Sequence, residues 1–140
     1  GPLSPAGHVA PKDMARVMAV NALVSQRLIR TLTPLLKAAP DARAVFATDA
    51  TGRHAAYWGC YAASKAALEA IVLAWAAECR ITPIRVNLLD PGPVATRLRA
   101  TAFPGERPET LPQPADVAPA FVELLLPECR RHEQIVRLRD

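Results

Sequence analysis

Residues 58–89, WGCYAASKAALEAIVLAWAAECRITPIRVNLL, decide how the chain is read. The first part, Trp58 to Arg80, is apolar on more than one face, as a helix covered on two sides must be. The second, Pro83 to Leu89, is a short apolar run of the kind that fills a buried strand. A helix of this kind feeding such a strand predicts an α/β fold. Inside the helix, Tyr61 and Lys65 lie four residues apart and share a face. An ammonium beside a phenol favours the phenolate. A tyrosine tuned in this way can pass a proton to or from an alcohol or carbonyl oxygen. The same spacing, taken alone, also suits a surface tyrosine and a solvated lysine.

Outward from this segment the pattern repeats. Upstream, apolar residues recur at three- and four-residue spacing from Met14 through Val17, Leu28 and Leu32 to Leu36, predicting a long helix over 11–38. Pro11 suits its first turn, and Pro34 is expected to bend it or mark its last turns. Ala42 to Thr48 reads as a buried strand, and Asp49 to Tyr57, with Gly52, as a loop. Downstream, Asp90-Pro91-Gly92-Pro93 breaks the second strand, and a short helix is expected over 94–103. The proline-rich stretch 104–114 reads as a flap, 115–126 as a third helix with Pro119 awkwardly inside it, and 134–138 as a last strand. Strict alternation of helix and strand means βαβ units and a parallel sheet. Three strands make a narrow sheet for helices this apolar, and further strands are expected on one side.

Composition narrows the function classes. The chain has 140 residues, 51% apolar and 5% aromatic, which suits one domain with close helix–sheet packing. Its net charge of +4 comes from dispersed arginines without interleaved aromatics, so no nucleic-acid partner is expected. The apolar run 66–77 is cut by Glu69 and stopped by Glu78, so no membrane span is expected. Three cysteines, Cys60, Cys79 and Cys129, have no metal-ligand spacing. A reduced, cytoplasmic setting and no metal are expected.

Three strings then raise the Tyr61–Lys65 pair above chance. Tyr61-Ala62-Ala63-Ser64-Lys65-Ala66-Ala67-Leu68 resembles the catalytic helix of the short-chain dehydrogenase/reductase family. Val86-Asn87-Leu88-Leu89-Asp90-Pro91-Gly92-Pro93-Val94-Ala95-Thr96 is similar to that family's Asn-x-x-x-Pro-Gly-x-x-x-Thr segment. Val20-Asn21-Ala22 lies mid-helix, where the family keeps an asparagine. The resemblance covers nearly the whole chain. It implies a Rossmann-like, doubly wound parallel sheet and an oxidoreductase that interconverts a carbonyl and an alcohol with NAD or NADP. Tyr61 would be the general acid/base, and Lys65 would lower its pKa and bind the nicotinamide ribose. Asn21 would kink its helix and anchor a proton-relaying water. Pro91, Gly92 and Val94 would shape the nicotinamide pocket, and Thr96 would bond the carboxamide. The substrate pocket would be lined by Tyr57, Trp58 and the flap from Ala102 to Pro114, although Tyr57 and Trp58 equally suit packing at the helix start. The helices over 11–38 and 58–80 would pair with a second copy, as a homodimer or homotetramer.

Two departures qualify this picture. The family's catalytic serine, about a dozen residues before the tyrosine, has no counterpart in Phe46-Ala47-Thr48-Asp49-Ala50-Thr51-Gly52; Thr48 or Asp49 stands there, depending on one loop residue. Thr48 has a hydroxyl and could serve, whereas an Asp49 carboxylate would repel a developing oxyanion. The six glycines do not form the Gly-x-x-x-Gly-x-Gly turn that presents a helix N-terminus to a pyrophosphate. The resemblance therefore implies that residues 1–140 are the C-terminal part of one such domain, without its N-terminal dinucleotide-binding half, and that this piece is inactive alone. The alternative is a non-catalytic relative acting as a dimerising or scaffold module. A small flavodoxin-like binding domain would leave Tyr61, Lys65, Asn21 and Thr96 unexplained.

Overall fold

The computed structural model describes residues 3–138. Three parallel strands, β1 (Ala42–Ala47), β2 (Ile84–Asp90) and β3 (Gln134–Arg137), form one sheet in the order β1-β2-β3. Ala42 pairs with Ile84 and Ala47 with Leu89 across the first ladder, and Asn87 pairs with Gln134 across the second. Parallel neighbours need crossovers. The first is made by α3 (Gly59–Glu78) and the second by α4 (Arg97–Ala102) and α5 (Pro114–Leu125).

β2 is the keel of the molecule. Ile84, Val86 and Leu88 are fully buried and cluster with Leu68, Val72, Trp75 and Ala76 of α3. The alternate positions Asn87 and Leu89 are as deeply buried, so the central strand is covered on both faces, as a doubly wound sheet requires. Trp75 meets Phe46 of β1 edge to face at 6.2 Å, which ties α3 to the edge strand as well.

The segment 11–38 is not one uniform helix. It runs as α1 (Pro11–Met18), a five-residue π-turn (Ala19–Leu23) and α2 (Val24–Ala38). The widened turn is centred on Asn21. Pro34 sits inside α2, one turn from its end. Helix α5 starts one residue earlier than the sequence suggests. Gln113 and Asp116 form a reciprocal capping box, and Pro114 fits the first helical position. Pro119 falls in its second turn but on the exposed side, where water can take the Ala115 carbonyl left without an N–H partner. The helix expected over 94–103 shortens to Arg97–Ala102, because the Thr96 hydroxyl accepts from Arg99 N at 3.2 Å and sets the start there.

One expectation needs correction. Helix α3, at 20 residues, is long and apolar enough to cross a membrane by length and composition. Its interior residues are instead consumed by the sheet and by α1, the π-turn and α2, and Glu69 is buried among polar partners.

Replacing Leu88 by alanine removes a side chain with no route for collapse and should cost about 2–5 kcal/mol. Ile81→Ala, at a residue 96% exposed, should change stability by less than about 0.5 kcal/mol. Denaturant unfolding of both variants checks this, and equal costs would contradict the assignment of β2 as the core strand.

Candidate active site

The C-terminal ends of β1 and β2 open onto a cavity of about 280 Å³ beside the N-terminal turn of α3. This is where the loops after parallel strands diverge and where α/β folds hold ligands. Two loops form the rim, one after each strand. A single buried carboxylate stitches them together. Asp90 accepts from Ala50 N at 3.1 Å and from Gly92 N at 3.0 Å, one oxygen for each loop. Gly92 is held at φ 68°, in the left-handed region that glycine adopts without strain. Pro91, Gly92, Val94 and Thr96 all line the cavity, with Val94 buried and Thr96 exposed at the mouth.

Tyr61 and Lys65 enter from α3 and share the cavity. The Lys65 ammonium donates to the Ala47 carbonyl at 3.2 Å and lies 5.8 Å from the Tyr61 ring centre. The Tyr61 hydroxyl donates to Asp49 Oδ2 at 2.9 Å. Of the two residues expected at this position, Asp49 faces the tyrosine. Thr48 is buried and turns its hydroxyl away, donating to Glu69 Oε1 at 2.6 Å. Arg53 pairs with the other oxygen of Glu69. The Asn21 amide donates to Ser64 Oγ at 2.9 Å, and Ser64 in turn donates to the Tyr61 carbonyl at 2.7 Å, so Asn21 is tied to the turn that carries the tyrosine.

The electrostatics differ from the expectation that Lys65 draws the phenol down. Burial raises the Tyr61 phenol above the ordinary tyrosine range, and Asp49 adds to this by its charge and by accepting the phenolic proton. Burial also lowers the Lys65 ammonium, against the opposing charges of Asp49, Asp90 and Glu69. An oxyanion forming about 4 Å from the Asp49 carboxylate would be disfavoured by about 4 kcal/mol at an effective dielectric near 20.

The opposite wall is aromatic. Trp58 stacks on Phe103 at 5.5 Å and meets Tyr61 edge on at 5.7 Å. Gly52 is packed under Trp58; a Cβ there would lie 2.7 Å from Trp58 Cε3. Tyr57, expected to line the pocket, is 60% exposed, because its φ of 71° turns it outward while Trp58 turns in. Ala102 and Phe103 reach this cavity, while Pro108, Leu111 and Gln113 of the flap line a neighbouring one of about 250 Å³. Sequence reasoning missed Glu69, Arg53, Ser64 and Arg99. A glutamate inside an otherwise apolar helix was the available signal for the first, since a buried carboxylate demands donors.

The comparisons with known proteins agree with this geometry. The family model for short chain dehydrogenases matches residues 1–107. An uncharacterized oxidoreductase of Escherichia coli K12, YciK, is 37% identical over 132 residues, which is 94% of this chain and 52% of that protein. The crystal structure of a short chain dehydrogenase from Salmonella enterica serovar Typhi superposes with a TM-score of 0.93 at 34% identity, covering 100% of this chain and 58% of that one. A short chain dehydrogenase from Escherichia coli CFT073, solved in complex with NADPH, gives 0.91 at 34% identity over 100% of this chain and 59% of that one. The chain thus spans about half the length of the relatives it matches. With the family model covering most of its residues, and with Tyr61, Lys65 and the Pro91-Gly92 turn around one cavity, the chain belongs to the short chain dehydrogenase family.

Proposed function

We propose that the protein is an NAD(P)-dependent oxidoreductase that transfers hydride between a nicotinamide and a carbonyl–alcohol pair, with Tyr61 as general acid/base. The observation that carries this reading is the convergence of Tyr61 and Lys65 with Pro91, Gly92, Val94 and Thr96 on one cavity. These residues fit the nicotinamide–ribose end of a dinucleotide. The Lys65 ammonium spends one donor on Ala47, which leaves others for ribose hydroxyls. The left-handed Gly92 lets backbone approach a flat ring closely, and Thr96 offers a hydroxyl at the mouth. Bound there, the cofactor supplies the hydride. The chain's own part is to orient the ring and hold a proton at Tyr61 Oη. Nothing in residues 1–140 has the glycine pattern for a pyrophosphate, so that contact is proposed to come from a segment outside them. The NADPH-bound relative supports NADP as the first cofactor to test. Three unpaired cysteines suit the cytoplasm as the proposed location.

The same helices offer a surface for a second copy. Val20, Leu23, Val24, Leu28, Leu32 and Leu35 are exposed along the π-turn and α2. Ala63, Ala66, Ala70 and Ala74 form an exposed small-residue row on α3, although the rest of that helix is core. A homodimer or homotetramer through 11–38 and 58–80 would cover both. The scaffold reading shares this surface and draws support from Asp49 standing where a hydroxyl is expected.

Three outcomes are expected. Tyr61→Phe should lower carbonyl reduction about 10²–10⁴-fold while leaving NADPH binding intact; full retained activity would refute the acid/base role, and failure of NADPH and NADH to bind the unaltered protein would favour the scaffold. Asp49→Asn removes a charge that holds the phenol up, so the acid-side limb of kcat/KM for alcohol oxidation, which rises as Tyr61 gives up its proton, should move to lower pH. Leu28→Glu should shift the protein toward monomer in light scattering, and an unchanged mass would place the interface elsewhere.

A further inference from the structure

Glu69 is a carboxylate inside the core helix, 7% exposed, and neither it nor Arg53 lines the active-site cavity. Both of its oxygens are spent on one loop. Oε1 accepts from the Thr48 hydroxyl at 2.6 Å, where the loop leaves β1, and Oε2 pairs with the Arg53 guanidinium further along it. Between these two grips lies the part of the loop that reaches the cavity. Asp49 accepts from the Tyr61 hydroxyl, Ala50 N donates to Asp90, and Gly52 is pressed under Trp58. The loop carries the marks of being held. Arg53 N donates to the Ala50 carbonyl at 3.0 Å and closes a tight turn. Beyond it, His54 stands at φ 61° and Tyr57 at φ 71°, left-handed positions that residues other than glycine keep only where surrounding contacts impose them. The Arg53 Nε is buried and finds no partner among the described residues, so the guanidinium is anchored in the interior through Glu69.

We propose that Glu69 is a positioning residue for the acid/base step: by clamping Thr48 and Arg53 it fixes the loop between them in the register that brings position 49 to the Tyr61 hydroxyl. The inference rests on the hydride-transfer reading and adds to it a residue outside the cavity. Tyr61 remains the group that exchanges the proton, and Glu69 acts only through the loop. The two halves of the clamp differ in what they need. Thr48 still bonds Leu89 O through its backbone N at 2.8 Å, as a strand residue would, so the near end of the loop has a second anchor. The far end depends on the ion pair. A hydroxyl donates equally well to a carboxylate or an amide oxygen, whereas a guanidinium is held by a carboxylate and opposed by an amide NH₂. Glu69→Gln therefore keeps Thr48 in place and releases Arg53.

The first measurement is free of activity. Amide hydrogen exchange is followed in the unaltered protein and in Glu69→Gln. Exchange at Ala50, Thr51 and Arg53 should speed up at least about tenfold, while Val86 and Leu88 in β2 stay as slow as before. Arg53→Met should reproduce this pattern, and Arg53→Lys should keep the loop protected. Uniform acceleration would make Glu69 a residue of stability alone, and no acceleration would mean that it does not hold the loop; either overturns the proposal. The second measurement is the pH profile of kcat/KM for oxidation of benzyl alcohol and tetralol with NADP. Burial, Asp49 and Asp90 raise the Tyr61 phenol, so Glu69 reaches it through the loop or, across space, through Lys65, whose lowering it opposes. Glu69→Gln should move the acid-side limb to lower pH by at least half the shift that Asp49→Asn produces, with NADP affinity unchanged. It should add nothing when Asp49 is already replaced by asparagine. Shifts that add in the double variant reveal a route that bypasses the loop; they overturn this inference and leave the oxidoreductase reading standing. An unaltered protein that neither binds NADP nor oxidises either alcohol defeats both.

Discussion

The contact on which the rest of the structure depends is the burial of α3 against β2. Leu68, Val72 and Ala76 recur at four-residue spacing and press on Ile84, Val86 and Leu88, which alternate on one face of the strand. A helical period meeting a strand period fixes the helix in rotation and in height. Once Leu68 is seated, Tyr61 and Lys65, two turns and one turn earlier, have nowhere to point but the C-terminal end of the sheet. The cavity-facing side of α3 is therefore a consequence of its packing face. The Asp90 carboxylate completes the arrangement by joining the loop after β1 to the loop after β2, so both rims of the cavity are referred to the same strand.

Much of this was readable in the residues because periodicity and burial leave marks in composition. The strand–helix alternation and a buried strand over 83–89 follow from periodicity and composition, while the pairing of Tyr61 with Lys65 needed the family resemblance as well as the spacing. What was not readable depends on backbone register. The π-turn at 19–23 inserts one residue into a helix whose apolar pattern continues smoothly on either side, so nothing in the pattern shows it. Tyr57 and Trp58 are adjacent aromatics, and only the left-handed φ of Tyr57 decides which one faces the cavity. Asn21 could be placed mid-helix, but its hydrogen bond to Ser64 is a contact between two helices that no spacing within one of them announces.

The choice between Thr48 and Asp49 shows how an interior requirement can set the chemistry of a site. Glu69 is 7% exposed, on the buried side of α3. An ionised carboxylate there is tolerable only if its oxygens are bonded, since an unpaired buried charge costs several kcal/mol. Arg53 reaches one oxygen from the loop after β1, and Thr48 reaches the other from the end of the strand. Thr48 cannot leave without stranding Glu69, so its hydroxyl is committed to the interior. Asp49, the next residue, lies in the loop beyond β1 and turns its carboxylate to the Tyr61 hydroxyl. The residue left to confront Tyr61 is thus the one that Glu69 does not engage.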